Sequence, residues 1–153
     1  MSYTQRFSEG FNPILAEHAD SIAIGTHDSA YVSLQNYHRA VLLLNVGDMG
    51  QGATLDVQIR QASTSTGTGV KTIADKAGTA TKAITQLTQA GGDGNQFLCI
   101  ELQTEELDVE NNFEHVGVRA VVAGAAVEYA WTLFAFEPRY APVGTTNYDE
   151  VID

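Results

Sequence analysis

Cys99 is the strongest intrinsic nucleophile in the sequence, and it is the only cysteine. A catalytic thiol needs a base within reach and a third group that orients the base. Cys99 instead lies in the middle of the apolar run "QFLCIELQ", on the face opposite Leu98 and Ile100. We therefore predict a small packed hydrophobic side chain rather than a nucleophile. A single thiol also excludes an internal disulfide.

The four histidines are the next residues that could carry chemistry, as metal ligands or general bases. They are His18, His27, His38 and His115. No two of them have the i, i+2 or i, i+4 spacing that metal sites often use. All four lie near the ends of predicted strands or in loops. We expect solvent-exposed histidines and no metal site.

Carboxylates are concentrated in the second half of the chain, at Glu101, Glu105, Glu106, Asp108, Glu110 and Glu114. A glycosidase needs two carboxylates across a cleft, whereas a run such as "TEELDVENN" is typical of a solvated edge. The stretches "DVENN" and "GGDGN" offer oxygen ligands for calcium, but neither has the spacing of an EF-hand loop. Phosphate-binding and dinucleotide-binding glycine motifs are absent from the sequence. We predict no catalytic residue and no cofactor.

The elements around these residues alternate with a period of two, which indicates β-strands. "TLDVQIRQ" places Leu55, Val57 and Ile59 on one face and polar residues on the other. "AVLLLNV" is apolar on both faces and is predicted to lie mid-sheet, with both sides at least partly covered. The glycine-rich "GDMGQG" between these two runs predicts a hairpin that joins them.

Other strands are predicted in "SIAIG", "SAYVSLQ", "QFLCIELQ", "HVGVRAVVAG" and "VEYAWTLFAFE", with weaker ones near 70–74 and 81–87. Turn signals separate them every eight to twelve residues, which is typical of an all-β sandwich. About eight strands predict a jelly-roll-like sandwich. The aromatic residues of the last strand, Trp131, Phe134 and Phe136, are assigned to its core.

The two ends of the chain lack this alternation. We predict an irregular N-terminal arm over 1–19, a sandwich domain over 20–138 and a C-terminal tail over 139–153. Asn12-Pro13 could start a short helix in the arm. The apolar and aromatic residues of both ends form the candidate interface: Phe7, Phe11, Ile14, Leu15, Tyr140 and Tyr148. The alternative is that both ends fold back on their own sandwich.

The net charge of −11 is uneven, with about −1 over residues 1–82 and about −10 over residues 83–153. An acidic surface repels nucleic acid and anionic membranes, so neither is an expected partner. The first residues carry no long apolar core after a basic start, so we expect no signal peptide. We expect a protein made in a cytoplasm, or kept in a particle assembled there.

Four quoted stretches carry a family resemblance: "AYVSLQNYHRAVLLLNVGDMGQGATLDVQIRQA", "KAITQLTQAG", "ELDVENNFEHVGVRAVVAG" and "PRYAPV". Together they resemble the head decoration, or cement, proteins and other capsid-associated structural proteins of tailed bacteriophages, over about Ser29 to Val143. The resemblance implies a β-sandwich without catalytic residues that binds the capsid exterior and bridges neighbouring major capsid subunits. Such a virion protein would be made in the bacterial host's cytoplasm.

Three other functions stay open at this point. A head–tail connector, tail or fibre component would share the fold and the lack of catalysis. A carbohydrate-binding jelly roll would need exposed aromatic residues on one sheet face or a loop site. An enzyme on this scaffold ranks last, because the histidine cluster that such sites use is missing. Self-association as dimers or trimers is expected, and the sequence does not choose between them.

Overall fold

The computed structural model describes residues 6–140 and 147–152, and strands account for most of the chain. One short helix, α1 (Phe7–Gly10), precedes the strands. The strands are β1 (Phe11–Ile22), β2 (Gly25–Asp28), β3 (Val32–Ser33), β4 (Tyr37–Met49), β5 (Thr54–Ala62), β6 (Lys71–Thr72), β7 (Leu87–Thr88), β8 (Phe97–Gln103), β9 (His115–Ala123) and β10 (Val127–Pro138). Short 3₁₀ turns occupy Gln89–Gly91, Thr104–Glu106 and Val109–Asn111.

The strands form two antiparallel sheets. Sheet A has the order β1-β10-β4-β8, and sheet B has the order β2-β9-β5-β6, with β3 also beside β9 and β7 also beside β5. The short strands β2 and β3 follow one another along the same edge of β9, and β6 and β7 do so along β5. The ten strands therefore occupy eight positions in the two sheets. The chain passes between the sheets from β1 to β2, from β3 to β4, from β4 to β5, from β7 to β8, from β8 to β9 and from β9 to β10, which is a jelly-roll path. The prediction of an all-β sandwich is confirmed.

The core lies between the sheets and is lined by alternate residues of each long strand. The predicted inward residues Leu55, Val57 and Ile59 of β5 are all at most 1% exposed. The same alternation buries one face of β9 and of β10: Val116, Val118, Ala120, Val122, Val127, Tyr129, Trp131 and Leu133. Period-two patterning therefore identified the inward face of these strands correctly.

The predicted hairpin between "AVLLLNV" and "TLDVQIRQ" is wrong. The first run lies in β4 of sheet A and the second in β5 of sheet B, so the intervening turn crosses between sheets. Gly50 lies at this crossing, where its N–H donates to Ala126 O at 2.9 Å. A side chain at Gly50 would meet Ala125 Cβ at 2.8 Å. A hairpin and a crossing can share one sequence pattern, since both need glycine between two strands.

The predicted irregular N-terminal arm is also wrong in part. Residues 11–22 form β1, which pairs with β10 from Phe11↔Phe136 to Ile22↔Val127. The domain boundary predicted at 19/20 therefore falls inside a strand. Asn12-Pro13 lies in this strand and starts no helix. Pro13 is tolerated because β1 is an edge strand, where a missing N–H faces away from the sheet.

None of the described helices is long and apolar enough to cross a membrane.

Candidate functional site

The candidate site is the outer face of sheet A, which is unusually apolar for a face turned away from the core. Strands β4 and β10 are central in this sheet and set its composition. Their outward side chains alternate with the buried ones, and the apolar ones among them are half-buried. The apolar outward residues are Phe11 and Pro13 of β1, Phe134 and Phe136 of β10, Val41 and Leu43 of β4, and Phe97 and Cys99 of β8.

The assignment of Phe134 and Phe136 to the core is therefore wrong, although Trp131 is buried as predicted. The register places Phe136 between Phe11 and Arg39, and Phe134 between Pro13 and Val41. Trp131 has odd parity in β10, whereas both phenylalanines have even parity and so point to the opposite face. Strict alternation across "WTLFAFE" therefore places Phe134 and Phe136 on the face opposite Trp131.

Four phenylalanines form an aromatic cluster at one end of this face: Phe7, Phe11, Phe134 and Phe136. Phe7 stacks on Phe11 with ring centroids 4.7 Å apart, and Phe11 stacks on Phe136 at 4.9 Å. Phe7 also meets Phe134 edge-on at 5.8 Å. These separations are favourable for aromatic pairs. Phe7 is nevertheless 60% exposed, so the cluster is open to solvent on one side.

The C-terminal segment 147–152 crosses the free edge of β1 and holds it in place. Tyr148 Oη donates to Phe11 O at 2.7 Å, and Asn147 Nδ2 donates to Pro13 O at 2.9 Å. Asn147 N–H donates to the buried Asn12 Oδ1 at 2.8 Å, while Asn12 Nδ2 donates to Tyr37 Oη at 2.9 Å. Side chains of the segment thus occupy edge positions that a neighbouring strand would otherwise fill.

A surface groove of about 510 Å³ lies between this segment and the start of the described chain. Its walls are Arg6, Phe7, Ser8, Tyr148, Glu150, Val151 and Ile152. Ile152 is 87% exposed, so the groove adds apolar surface beside the aromatic cluster. Burial raises the pKa of Tyr148, whose hydroxyl donates to Phe11 O.

The six residues of the predicted interface fall into three groups. Phe7 and Phe11 belong to the aromatic cluster, and Tyr148 lies against it. Tyr140 is 80% exposed at the end of β10. Ile14 and Leu15 are partly buried and pack against the core. The structure thus brings three of the six together and places Phe134 and Phe136, which the sequence interpretation missed, beside them.

Cys99 is exposed on the outer face of sheet A, so the prediction of a packed side chain is wrong. Its neighbours Ile100 and Leu102 are buried in the core, as the alternation of β8 predicted. Partial burial raises the pKa of the Cys99 thiol, and the Glu101 carboxylate adds to the rise. The thiol is therefore a weaker nucleophile at neutral pH than an ordinary cysteine.

The other candidate chemical groups are engaged in internal contacts or dispersed. Among residues 6–140 and 147–152, no group of three or more His, Cys, Asp or Glu side chains could hold a metal ion. In the two stretches considered for calcium, Asp108 pairs with Lys71, and Asp93 Oδ2 accepts from Thr88 N–H at 2.9 Å. Lys82 pairs with Glu106 at 2.7 Å.

Comparisons with known proteins add little to this geometry. No protein-family model and no curated protein matches the chain. A solved structure titled "Structure of infectious bursal disease virus Gt strain" aligns with 84% of this chain, at 11% identity and a TM-score of 0.27. The alignment covers 41% of that viral chain, so this protein spans less than half of its length. At that level of similarity the alignment assigns neither fold nor function.

Proposed function

We propose that this chain is a structural virion protein that binds the exterior of a tailed-phage capsid and stabilises it by bridging neighbouring major capsid subunits. The observation that carries the proposal is the apolar outer face of sheet A, with its partly exposed aromatic cluster. Contiguous exposed apolar surface is a mark of protein contact sites. The resemblance to phage decoration proteins supplies the class of partner.

The surface chemistry favours a protein partner over a glycan. A carbohydrate-binding face needs aromatic platforms accompanied by polar groups that bond to sugar hydroxyls. In the aromatic cluster the phenylalanine rings stack on one another, and Val41 and Leu43 extend the apolar surface along β4. Multiple weak contacts of such a face across a capsid lattice would add by multivalency.

The first test is the copy number of this protein relative to the major capsid subunit in purified particles, measured by quantitative mass spectrometry. Decoration predicts a ratio near one or a simple fraction of one. A single ring of copies would replace decoration with a connector or tail role. Absence from the particle would overturn every virion role and make a glycan-binding screen the next experiment.

The second test asks whether the outer face of sheet A makes the contact. Val41→Lys places a charge in the middle of this face, and Thr54→Lys places the same charge on the outer face of sheet B. Both positions are half-buried residues of central strands. We expect Val41→Lys to lower binding to undecorated capsids at least about tenfold, since an unpaired buried charge at an interface costs over 1.4 kcal/mol. Thr54→Lys should bind like the parent protein. Equal binding by both variants would exclude this face.

A further inference from the structure

The sandwich has four strand edges, and they differ in how well they are protected against pairing with another chain. In sheet B, the edge strands β2, β3, β6 and β7 are four residues long at most. In sheet A, β1 contains Pro13, has register breaks after Pro13 and Glu17, and is crossed by Asn147 and Tyr148. Short strands, proline, bulges and covering segments are the usual devices that prevent edge-to-edge association.

Within the described residues, strand β8 has no proline, no register break and no crossing segment, and the Glu106 side chain engages its edge at Gln103 N–H. It pairs with β4 over seven consecutive residues without a register break, from Asn45↔Phe97 to Arg39↔Gln103. Its sequence, FLCIELQ, contains no proline, lysine or arginine. Phe97 is 69% exposed, and Cys99 is exposed beside it. A long, regular edge of this kind is a template for another strand.

The hydrogen-bond pattern shows which groups of β8 are free. Val46 N–H donates to Gln96 O at 2.8 Å, which makes this a hydrogen-bonded pair. Pairs of this type recur every second residue in an antiparallel ladder, so Leu98, Ile100 and Leu102 also bond to β4. The main-chain groups of Phe97, Cys99, Glu101 and Gln103 therefore point to the open edge. Of these, Gln103 N–H already donates to Glu106 Oε2 at 2.8 Å.

We propose that β8 is a self-association edge, at which two copies of this chain pair antiparallel about a twofold axis through Cys99. Phe97, Cys99 and Glu101 of each copy then exchange main-chain hydrogen bonds, and the two copies of sheet A become one eight-stranded sheet. Inward side chains oppose inward ones, with Leu98 of one copy facing Ile100 of the other. This inference does not depend on the proposed capsid role.

Two features favour the pairing centred on Cys99 over a pairing of the two β8 strands centred on Ile100. Centring on Ile100 would require Gln103 N–H, which Glu106 occupies, and the Lys82–Glu106 ion pair lies at that end of the strand. It would also place the two copies of Glu101 two residue spacings apart along the strands, about 8 Å in all once the spacing of about 5 Å between strands is included. Centring on Cys99 places them four residue spacings apart, about 14 Å in all, where screening over a length of about 8 Å weakens the repulsion much more.

A second copy is favoured over a different partner because β8 complements itself in this register. Each Glu101 carboxylate lies opposite the Phe97 ring of the other copy, and two neutral Cys99 side chains face each other. Direct opposition of like charges, which destabilises strand pairs, is avoided. The pair is isologous and closes with two copies, so it leaves no further β8 edge open.

The first test uses amide hydrogen exchange of the full-length protein at several concentrations. We expect the amides of Phe97, Cys99 and Glu101 to become more protected as concentration rises. The Gln103 amide, already bonded to Glu106, should not change. Sedimentation equilibrium over the same range should show a reversible dimer. A monomer at every concentration, with unchanged exchange at these three amides, would overturn the proposal.

Two lysine variants separate edge pairing from packing of the outer faces. Cys99→Lys puts two ammonium groups opposite each other in the proposed register. Thr132→Lys lies in the same row of the outer face, since Thr132 pairs with Leu43 and Leu43 pairs with Cys99, but it is two strands from the edge. We expect dimerisation to be lost in Cys99→Lys and kept in Thr132→Lys. Loss in Thr132→Lys with retention in Cys99→Lys would assign the contact to the face and reject the edge.

Thiol cross-linking gives a third readout, because Cys99 is the only cysteine in the chain. With the short thiol cross-linker bismaleimidoethane, we expect rapid formation of a covalent dimer, since directly opposite residues of paired strands have Cβ atoms only about 5 Å apart. Cys99→Ser should form the reversible dimer but no covalent one. Cross-linking no faster than that of Thr132→Cys in a Cys99→Ser background would exclude the register centred on Cys99.

Discussion

The outer faces of sheet A and sheet B differ in chemistry. Sheet A turns Val41, Leu43, Phe134 and Phe136 to the outside. Sheet B turns Thr54, Asp56, Gln58 and Arg60 of β5 to the outside, and Arg119 of β9 forms a two-bond pair with Asp28, with N–O distances of 2.6 and 2.7 Å.

The contrast teaches that the fold alone does not require an apolar outer face. Both sheets bury a complete inward row against the same core, yet sheet A carries several apolar side chains on its other side, whereas β5 and β9 of sheet B turn mainly polar side chains outward, with Val121 as an apolar one. Asp56 accepts from Gln86 Nε2 at 2.7 Å, whereas the buried Arg60 Nε and His115 Nδ1 of sheet B have no hydrogen-bond partner within the described residues. The apolar surface of sheet A is therefore available to a partner, whereas sheet B is suited to water.

The sharpest test of this contrast lies within one strand. Leu44 of β4 is fully buried and Leu43 is half-buried on the outer face. We expect Leu44→Ala to lower the free energy of unfolding by about 2–5 kcal/mol, through lost burial and the cavity left behind. Leu43→Ala should cost about 1 kcal/mol or less, because its site is open to solvent. Urea unfolding measures both, and equal losses would mean that the outer face is as closely packed as the core.

The second largest expected loss of stability is at the edge of sheet A that the C-terminal segment 147–152 covers. Asn12 is 7% exposed and bonds to Tyr37 Oη and Asn147 N–H. Asn12→Ala should cost about 1–3 kcal/mol, because it leaves buried polar groups unpaired. Asn45→Ala, at an exposed position of β4, is the control and should change stability by less than about 0.5 kcal/mol. A similar small change in both variants, measured by urea unfolding, would mean that the segment contributes nothing to holding β1.

The smallest expected effect is the pH dependence of the stability that the Asp28–Arg119 pair of sheet B contributes. The hydrogen bond from Arg119 lowers the pKa of Asp28 below its ordinary value of 3.8, against an opposing effect of burial. A carboxyl with a depressed folded-state pKa stabilises the protein above its unfolded-state pKa, and this contribution is lost as pH falls through the folded-state pKa.

Asp28→Asn should therefore lower stability at pH 7 by up to about 1 kcal/mol at low salt and by less at high salt. The difference from the parent protein should shrink as the pH falls below about 4. Thermal unfolding between pH 2 and 7 measures this. If the stability difference between Asp28→Asn and the parent protein stayed constant from pH 2 to 7, the lost stability would come from packing and not from the ion pair. Leu43→Ala, on sheet A, should show no such pH dependence of its own.

The candidate site was only partly predictable for a physical reason. Phe7, Phe11 and Tyr148 stood out because aromatic residues are conspicuous in polar, irregular sequence. Phe134 and Phe136 were missed because a run of apolar residues with β periodicity was assigned as a whole to the core. "AVLLLNV" held the better signal, since apolar residues on both faces of one strand require a second contact surface. That outer surface stays half-buried within the described chain.

By itself the sequence determined the all-β class, the inward faces of β5, β8 and β9 and the apolar character of both sides of β4. These are local properties, because successive side chains of a strand alternate between faces whatever lies beside it. Only the tertiary structure decided that β4 and β5 belong to different sheets, that residues 11–22 pair with β10, and that β8 lies at an open edge. Those outcomes depend on hydrogen bonds between residues far apart in the chain, and no local period specifies which strands become neighbours.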